Sequence, residues 1–215
     1  TNLDSIEGGL SHALAKALGM NDLQILAPRE NLLCTLTVHT PTAAAPMVAE
    51  ALFAAGAGQI GHYDECHFQM EGMGTFRPLT GAQPAEGELG ERSLVKEQMQ
   101  RFVVSQEHRA EVQKALESSH PYEVVAHSWA SMENHRSDVG YGVVGNLDQA
   151  MPWASFVKHV KEVLGLRAIR HSPVVAAEVK RVALCGGAGV DLLPSAIGSG
   201  AQAYITADIS YHRYF

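Results

Sequence analysis

The sequence lacks the features that mark a membrane protein, a disulfide-stapled protein or a basic nucleic-acid binder. It has no run of about 18 consecutive apolar residues, the length that a membrane-spanning helix needs. Three cysteines in 215 residues are too few for a disulfide framework, and unpaired thiols indicate a reducing compartment, the cytoplasm. The 23 Asp and Glu outnumber the 16 Lys and Arg. This net charge of -7 argues against nucleic acid as a partner, because phosphate binding needs a clustered basic face.

What is present indicates a folded protein. Hydrophobic residues make up 46% of the chain, which is enough for a sizeable core and excludes a disordered chain. The 11 histidines keep metal chemistry open. The sequence starts at Thr1 without a methionine and ends at Phe215, and neither end resembles a natural terminus. We therefore expect that residues are missing at both ends.

Residues 31–133 have the pattern of two similar halves. Alternating apolar residues and helix-forming stretches predict strand, helix and strand in each half, with a long Gly- and Pro-rich loop over 72–90 between them. The predicted strands or extended stretches are 31–39, 59–70, 94–104 and 122–132, and the predicted helices are 46–55 and 106–118. This order is that of a ferredoxin-like βαββαβ fold.

The flanking residues predict a second sheet. A helix over 10–18 ends at Gly19, and no element is predicted from there to Asn31. After residue 134, strands alternate with helices, which implies a sheet flanked by helices and an α/β (α+β) fold class. The strands are predicted over 141–147, 179–185 and 203–206, with helices from Pro152 and over 192–197.

Glycines follow the predicted strand 179–185 directly. The sequence G-G-A-G at 186–189 would let backbone N–H groups approach an anion or a substrate, so Gly186 and Gly187 are candidate substrate-binding residues. The turn is not a dinucleotide fingerprint, because Leu192 stands where the third glycine belongs. The alternative is a tight strand-to-helix turn with no ligand.

Asp208 lies just past the last predicted strand, at the sheet edge where α/β proteins bind ligands. His212 follows four residues later, and together the two side chains could bind a metal or orient a proton-transfer base. Both are candidate pocket residues. The alternative is that Asp208 caps a following helix.

Three further positions carry metal-binding or charged side chains. Asp4 is either a metal ligand or a helix cap, and Arg77 could hold a carboxylate or phosphate or could simply be solvated. The H-Y-D-E-C-H sequence at 62–67 contains side chains that can bind metals. On a strand they would spread over about 13 Å, so a surface strand face is the favoured interpretation.

These motifs resemble a known family, the Nif-three-like or YbgI/YqfO-type dinuclear metal-center proteins, called GTP cyclohydrolase 1 type 2 homologs. The T-N-L-D sequence at 1–4 resembles the family motif H-T-N-x-D without its histidine. The sequences at 61–66, 72–78 and 120–123 resemble the inserted domain of YqfO-type members, and those at 182–189 and 205–212 resemble the second lobe. Ala207 departs from the family's usual glycine before the aspartate.

The resemblance implies an architecture. Residues 1–30 would end the first Nif-three-like lobe, 31–133 would form an inserted PII/CutA-like domain, and 134–215 would form an incomplete second lobe. Family members hold two divalent metal ions (Zn, Fe or Mn) between their lobes and form toroidal homo-hexamers.

The resemblance also assigns ligands. Asp4 would be the family metal ligand that this sequence contains, and the others would lie before Thr1 and after Phe215. Asp208 and His212 would match pocket positions near the metals, not the main ligands.

Two functions follow as expectations. The first is a metal-dependent hydrolase that acts on a nucleotide or another phosphorylated small molecule, with GTP ring opening suggested by the family name alone. The second is a non-catalytic regulatory or interaction scaffold that senses a small-molecule ligand through its PII-like insert, because loops such as 72–90 often carry recognition. A fragment without activity of its own is the third interpretation.

Overall fold

The computed structural model describes residues 6, 8–174 and 176–209, and it divides the chain into two compact units. Unit 1 combines the two ends of the chain, Thr1–Arg29 and Arg136–Phe215. Unit 2 is the continuous segment Glu30–His135. Within the described ranges, no helix is both long and apolar enough to cross a membrane.

The described part of the chain contains five α-helices and eight strands, with short 3-10 turns before α3 and α5. In chain order they are α1 (Leu10–Ala17), β1 (Met20–Pro28), β2 (Leu33–Pro41), α2 (Ala45–Ala54), β3 (His67–Phe76), β4 (Ser93–Ser105), α3 (Arg109–Ser119), β5 (His127–Ser131), β6 (Gly140–Pro152), α4 (Trp153–Val163), β7 (Glu178–Cys185), α5 (Leu193–Gly198) and β8 (Ala203–Thr206).

Unit 2 has the predicted ferredoxin-like topology. Its chain order is β2-α2-β3-β4-α3-β5, and its sheet order is β3-β4-β2-β5 with every neighbour antiparallel. Alternate residues of β2 and β4 face the helices, because successive side chains of a strand point to opposite faces. Leu36 and Phe102 lie directly opposite each other and are both fully buried. They pack in one core with Leu52 of α2 and Leu116 of α3.

Unit 1 has a mixed sheet with apolar packing on both faces, as predicted. Its order is β1-β6-β7-β8, and only the β7–β8 pair is parallel. Val182 and Leu184 of β7 belong to a core with residues of α1 and α4. Ala183, between them, packs with Ala196 of α5 in a separate cluster. A strand buried on both faces reads as a continuous apolar run, which is why residues 182–185 do not alternate.

The sequence predicted no element between Gly19 and Asn31, but the structure contains strand β1 there. The pairing of β1 with β6 shifts register between Asn21 and Gln24, and Asp22 has a φ of 52°. A bulge of this kind changes which face each later side chain occupies. The apolar alternation that predicts a strand is therefore interrupted.

The segment 59–76 differs from its prediction at both ends. Residues 59–66 were predicted to be extended, but Ile60 and Tyr63 exchange two hydrogen bonds around a turn, and β3 starts only at His67. Conversely, 72–76 was predicted to be loop and continues β3 to Phe76. A Cβ on Gly74 would lie 2.2 Å from a carboxylate oxygen of Glu97, so a larger residue there would require the Glu97 side chain to move.

Two further strands differ in length. The strand predicted over 122–132 is limited to β5, and the one predicted over 141–147 extends through β6 to Pro152.

The three cysteines differ in burial, since Cys34 and Cys185 are buried whereas Cys66 is partly exposed.

Removing the Leu36 side chain tests the core of unit 2. We expect Leu36→Ala to lower the free energy of unfolding by about 2–5 kcal/mol, because a fully buried leucine leaves a cavity. Leu94→Ala, at a side chain that is 67% exposed, should cost less than about 0.5 kcal/mol. Urea unfolding read by Trp129 fluorescence in a Trp153→Phe background measures both, and equal losses would contradict this account of the core.

Candidate functional site

The segment Gly186–Gly189, here called the glycine turn, follows β7 and is held by three hydrogen bonds to the side chains of Ser11 and Thr206. The Gly186 N–H donates to Ser11 Oγ at 3.1 Å. The Gly189 N–H donates to Thr206 Oγ1 at 2.8 Å, and that hydroxyl donates to the Gly187 carbonyl at 2.9 Å. The turn is therefore tied to the first turn of α1 and to the end of β8.

The glycine turn requires glycine at two positions. Gly187 has a φ of 80°, a conformation that residues with a Cβ rarely adopt. Gly189 has no such φ, but a Cβ on it would lie 2.5 Å from the Tyr204 hydroxyl oxygen and 2.6 Å from Cys185 Cβ. The sequence of the turn is thus dictated by backbone conformation at one glycine and by close packing at the other.

Tyr204 supports the turn as a hydrogen-bond donor. Its hydroxyl donates to the Gly189 carbonyl. Burial raises the pKa of Tyr204 above its usual range, and the neighbouring Cys185 adds to that effect. The hydroxyl therefore stays protonated at neutral pH and holds the turn, and it is unsuited to act as a base.

The exposed part of the turn can still meet a ligand. Within the described ranges, the N–H groups of Gly187 and Ala188 have no hydrogen-bond acceptor, and both residues are exposed. The Gly186 N–H is already used by Ser11. Of the two predicted substrate-binding glycines, Gly187 is thus the one whose N–H could bind an anion or a carbonyl oxygen.

Asp208 flanks the glycine turn. The Ala207 N–H donates to the Gly187 carbonyl at 3.0 Å, and Asp208 is the next residue, exposed, two positions beyond β8. The candidate residues Gly186, Gly187 and Asp208 therefore belong to one part of unit 1. Two predicted partners, Asp4 and His212, lie outside the described residues. Their roles stay predictions.

Arg77 lies in the other unit. It is exposed and is the first residue after β3. Arg77 therefore belongs to unit 2, whereas the glycine turn belongs to unit 1.

The residues that the structure describes contain no group of three or more His, Cys, Asp or Glu side chains that could hold a metal ion. The segment 62–67 contains such side chains, but it forms a turn followed by the start of β3, and His62 and Asp64 are exposed. The donor set for two metals is thus not found among the described residues.

A cluster in unit 2, formed by His120, Tyr122 and Glu97, was missed by the sequence analysis. The His120 ring is only 7% exposed; its Nε2–H donates to the His39 carbonyl at 3.1 Å, and its Nδ1 accepts the Tyr122 N–H at 3.1 Å. The Tyr122 hydroxyl donates to Glu97 at 2.9 Å. These partners require a neutral imidazole with its proton on Nε2.

The protonation states of this cluster agree with its hydrogen bonds. Burial lowers the pKa of His120, against the opposing influence of the His39 carbonyl and Glu97. Burial and the bond to Glu97 raise the pKa of Tyr122. The H-P-Y-E sequence at 120–123 indicated a resemblance to the inserted domain but not this cluster, because the partner Glu97 comes from a distant strand.

Comparison with known proteins gives a consistent result. The whole chain, residues 1–215, matches the family model Duf34/NIF3 (NGG1p interacting factor 3). A Bacillus subtilis protein named "GTP cyclohydrolase 1 type 2 homolog" is 38% identical over 213 residues, which are 99% of this chain and 57% of that protein. A protein of the same name from Mycobacterium tuberculosis is 35% identical, with the same coverage.

A solved structure agrees with these sequence relatives. The Bacillus cereus protein related to NIF3 is 33% identical, with a TM-score of 0.78 over 99% of this chain and 56% of that chain. The chain thus spans a little over half the length of the relatives it matches.

Substitution of Gly189 tests the packing of the glycine turn. We expect Gly189→Ala to lower the free energy of unfolding of unit 1 by about 1–3 kcal/mol, because the new Cβ would overlap Cys185 and Tyr204. Gly198→Ala, where a Cβ meets open space in α5, should instead leave it unchanged or raise it by up to about 1 kcal/mol. Urea unfolding followed by Trp153 fluorescence in a Trp129→Phe background distinguishes the two.

Measuring the stability of the folded protein at several pH values tests the contribution of His120. Its pKa is lowered in the folded state, so the unfolded state binds the proton more tightly. Its contribution to stability is therefore complete above the unfolded pKa of about 6.5 and is lost as the pH falls from there toward the folded pKa.

The measurement is the urea midpoint at pH 7.5, 6.5 and 5.5. We expect His120→Gln to show a smaller decline with falling pH than the parent protein, since the amide does not titrate. The exposed His135→Gln serves as the control and should keep the parent slope. Identical slopes for all three proteins would show that His120 is not responsible.

Proposed function

This chain belongs to the Duf34/NIF3 family, and we propose that it contributes to a dinuclear metal site that hydrolyses a nucleotide or another phosphorylated small molecule. The relatives' printed name, GTP cyclohydrolase 1 type 2 homolog, suggests a nucleotide. Because the chain spans only 57% of those relatives, the activity is proposed for the whole protein.

The observation that carries the proposal is the hydrogen bond from the Gly186 N–H to Ser11 Oγ. Ser11 lies in the first turn of α1, the helix that follows the T-N-L-D motif at residues 1–4. Gly186 begins the glycine turn, and the bond from Ala207 to Gly187 adds Asp208 to the same neighbourhood. The first turn of α1 and the glycine turn, which lie far apart in the chain, are thus joined within unit 1.

The proposal gives each residue a role. Asp4 supplies a carboxylate ligand, while Asp208 and His212 border the pocket and can orient a ligand or hold a proton. The exposed N–H of Gly187 receives an anionic or carbonyl oxygen, with Gly186 fixing the turn. Two divalent ions such as Zn, Fe or Mn supply activated water when bound.

Substitution of Asp4 in the full-length protein tests the metal site. We expect the purified protein to carry about two divalent ions per chain by plasma mass spectrometry, and Asp4→Asn to lose at least one of them. Asp64→Asn removes a carboxylate from an exposed turn of unit 2 and should keep the parent metal content. An unchanged content in Asp4→Asn would overturn the ligand assignment.

Turnover tests the hydrolase. The metal-loaded protein is assayed with GTP and with a chromogenic phosphate ester, beside the Asp4→Asn variant and a chelated sample. Hydrolysis that depends on metal and on Asp4 is the expected result. Full metal content without turnover of either substrate would refute the hydrolase and favour a regulatory scaffold.

Light scattering in the same samples tests the proposed homo-hexamer, which requires six times the subunit mass.

A further inference from the structure

A cleft of about 410 Å³ in unit 1 runs along one side of α1 and reaches the start of β1. Gly8, His12 and Lys16 line it at four-residue spacing, so they follow one face of the helix. Residues 20–23 line the other part. The cleft shares no lining residue with the glycine turn, although Ser11, adjacent to His12, contacts that turn.

His12 is the unusual residue of this cleft. Its side chain is 93% removed from solvent, since only 7% remains exposed, and it lines the cleft. In the described part of the chain it has no hydrogen-bond, ionic or ring partner. Buried polar groups are normally hydrogen-bonded, because leaving one unpaired costs stability. A largely buried imidazole that lines a cleft without a hydrogen-bond partner is therefore suited to bind a ligand.

The N-terminus of α1 provides further donors beside His12. Gly9 is the N-cap residue and offers no side-chain cap, and the N–H groups of Leu10, Ser11 and His12 have no acceptor within the described residues. Unpaired N–H groups and the helix dipole give this end a partial positive charge. Gly8 leaves the approach open, since nothing lies within 4 Å of the position of a Cβ there.

Lys16 and Asp22 give the cleft two further charges. Lys16 is exposed, two turns along α1 from Gly8, and its ammonium group can reach an anion held beside His12. Asp22 lines the cleft beyond the C-terminal end of α1, which spans Leu10–Ala17. The register shift between Asn21 and Gln24 brings Asp22 to the cleft with a φ of 52°.

We propose that this cleft binds the phosphate group of a small molecule. The His12 N–H and ring and the Lys16 ammonium group, which line the cleft, donate hydrogen bonds to the phosphate oxygens. Met20 and Leu23 supply an apolar wall, and the Asp22 carboxylate accepts a hydrogen bond from a hydroxyl group of a phosphate ester. The proposal does not depend on the hydrolase or on the metals.

Calorimetric titration of the full-length protein with inorganic phosphate and with glycerol 3-phosphate tests the proposal. We expect Lys16→Gln to weaken binding of both about tenfold, the usual effect of losing one charge-assisted hydrogen bond. Lys158→Gln, an exposed lysine on α4, is the matched control and should bind as the parent does. Any phosphate bound at a metal contributes equally to all three proteins, so the difference isolates the cleft.

The two ligands distinguish a free phosphate ion from a phosphate ester. Tighter binding of glycerol 3-phosphate that Asp22→Asn abolishes identifies an ester, and equal affinities identify the ion itself. Both results support a phosphate site.

Nuclear magnetic resonance of the histidine rings provides a readout that needs no variant. The ring signal of His12 should shift on addition of phosphate, while that of the exposed His135 stays in place. A His12 signal that does not move, or equal affinities for Lys16→Gln and Lys158→Gln, would overturn the proposal. Unchanged metal content in Lys16→Gln separates this result from the fate of the hydrolase.

Discussion

Burial of β7 on both faces is the constraint around which unit 1 is arranged. A strand in this position needs apolar side chains in both directions, and it needs neighbours on both edges to pair its backbone. Antiparallel β6 and parallel β8 supply that pairing, while α1, α4 and α5 supply the two apolar surfaces. Because β8 runs parallel to β7, the glycine turn and Thr206 lie at the same end of the sheet, where both strands terminate. The hydrogen bonds of the turn follow from that arrangement.

Local patterns were sufficient to predict most of the fold. In unit 2, the alternation in β2 and β4 and the regular order of strands and helices predicted the ferredoxin-like topology, since both signals depend on neighbouring residues alone. Strand β1 could not be predicted in this way, because its bulge at Asp22 breaks the alternation. The end of β3 was missed for a different reason: Gly72 and Gly74 resemble a loop until their β4 partners, Glu97 and Val95, are placed opposite them.

In the candidate site, too, local sequence patterns could be predicted and long-range contacts could not. The glycine turn and Asp208 could be proposed as candidates because strand, glycine and carboxylate are close together in sequence. The hydrogen bond from Gly186 to Ser11 could not be predicted, because the two residues are 175 positions apart in the chain. His12 and His120 likewise appeared as ordinary histidines, since burial and hydrogen-bond partners are properties of the folded chain. A single sequence contains the residue types of such clusters but not their proximity.

The uneven burial of the cysteines has a practical consequence. All three fall in the described part of the chain, and Cys34 and Cys185 are enclosed in the cores of different units. Burial also raises the pKa of the Cys34 thiol, so that less of it is the reactive thiolate. Cys66, just before β3, is the accessible thiol. A maleimide fluorophore or a nitroxide spin label can therefore be attached to native unit 2 at one defined position, without engineering a cysteine, for spectroscopic distance measurements.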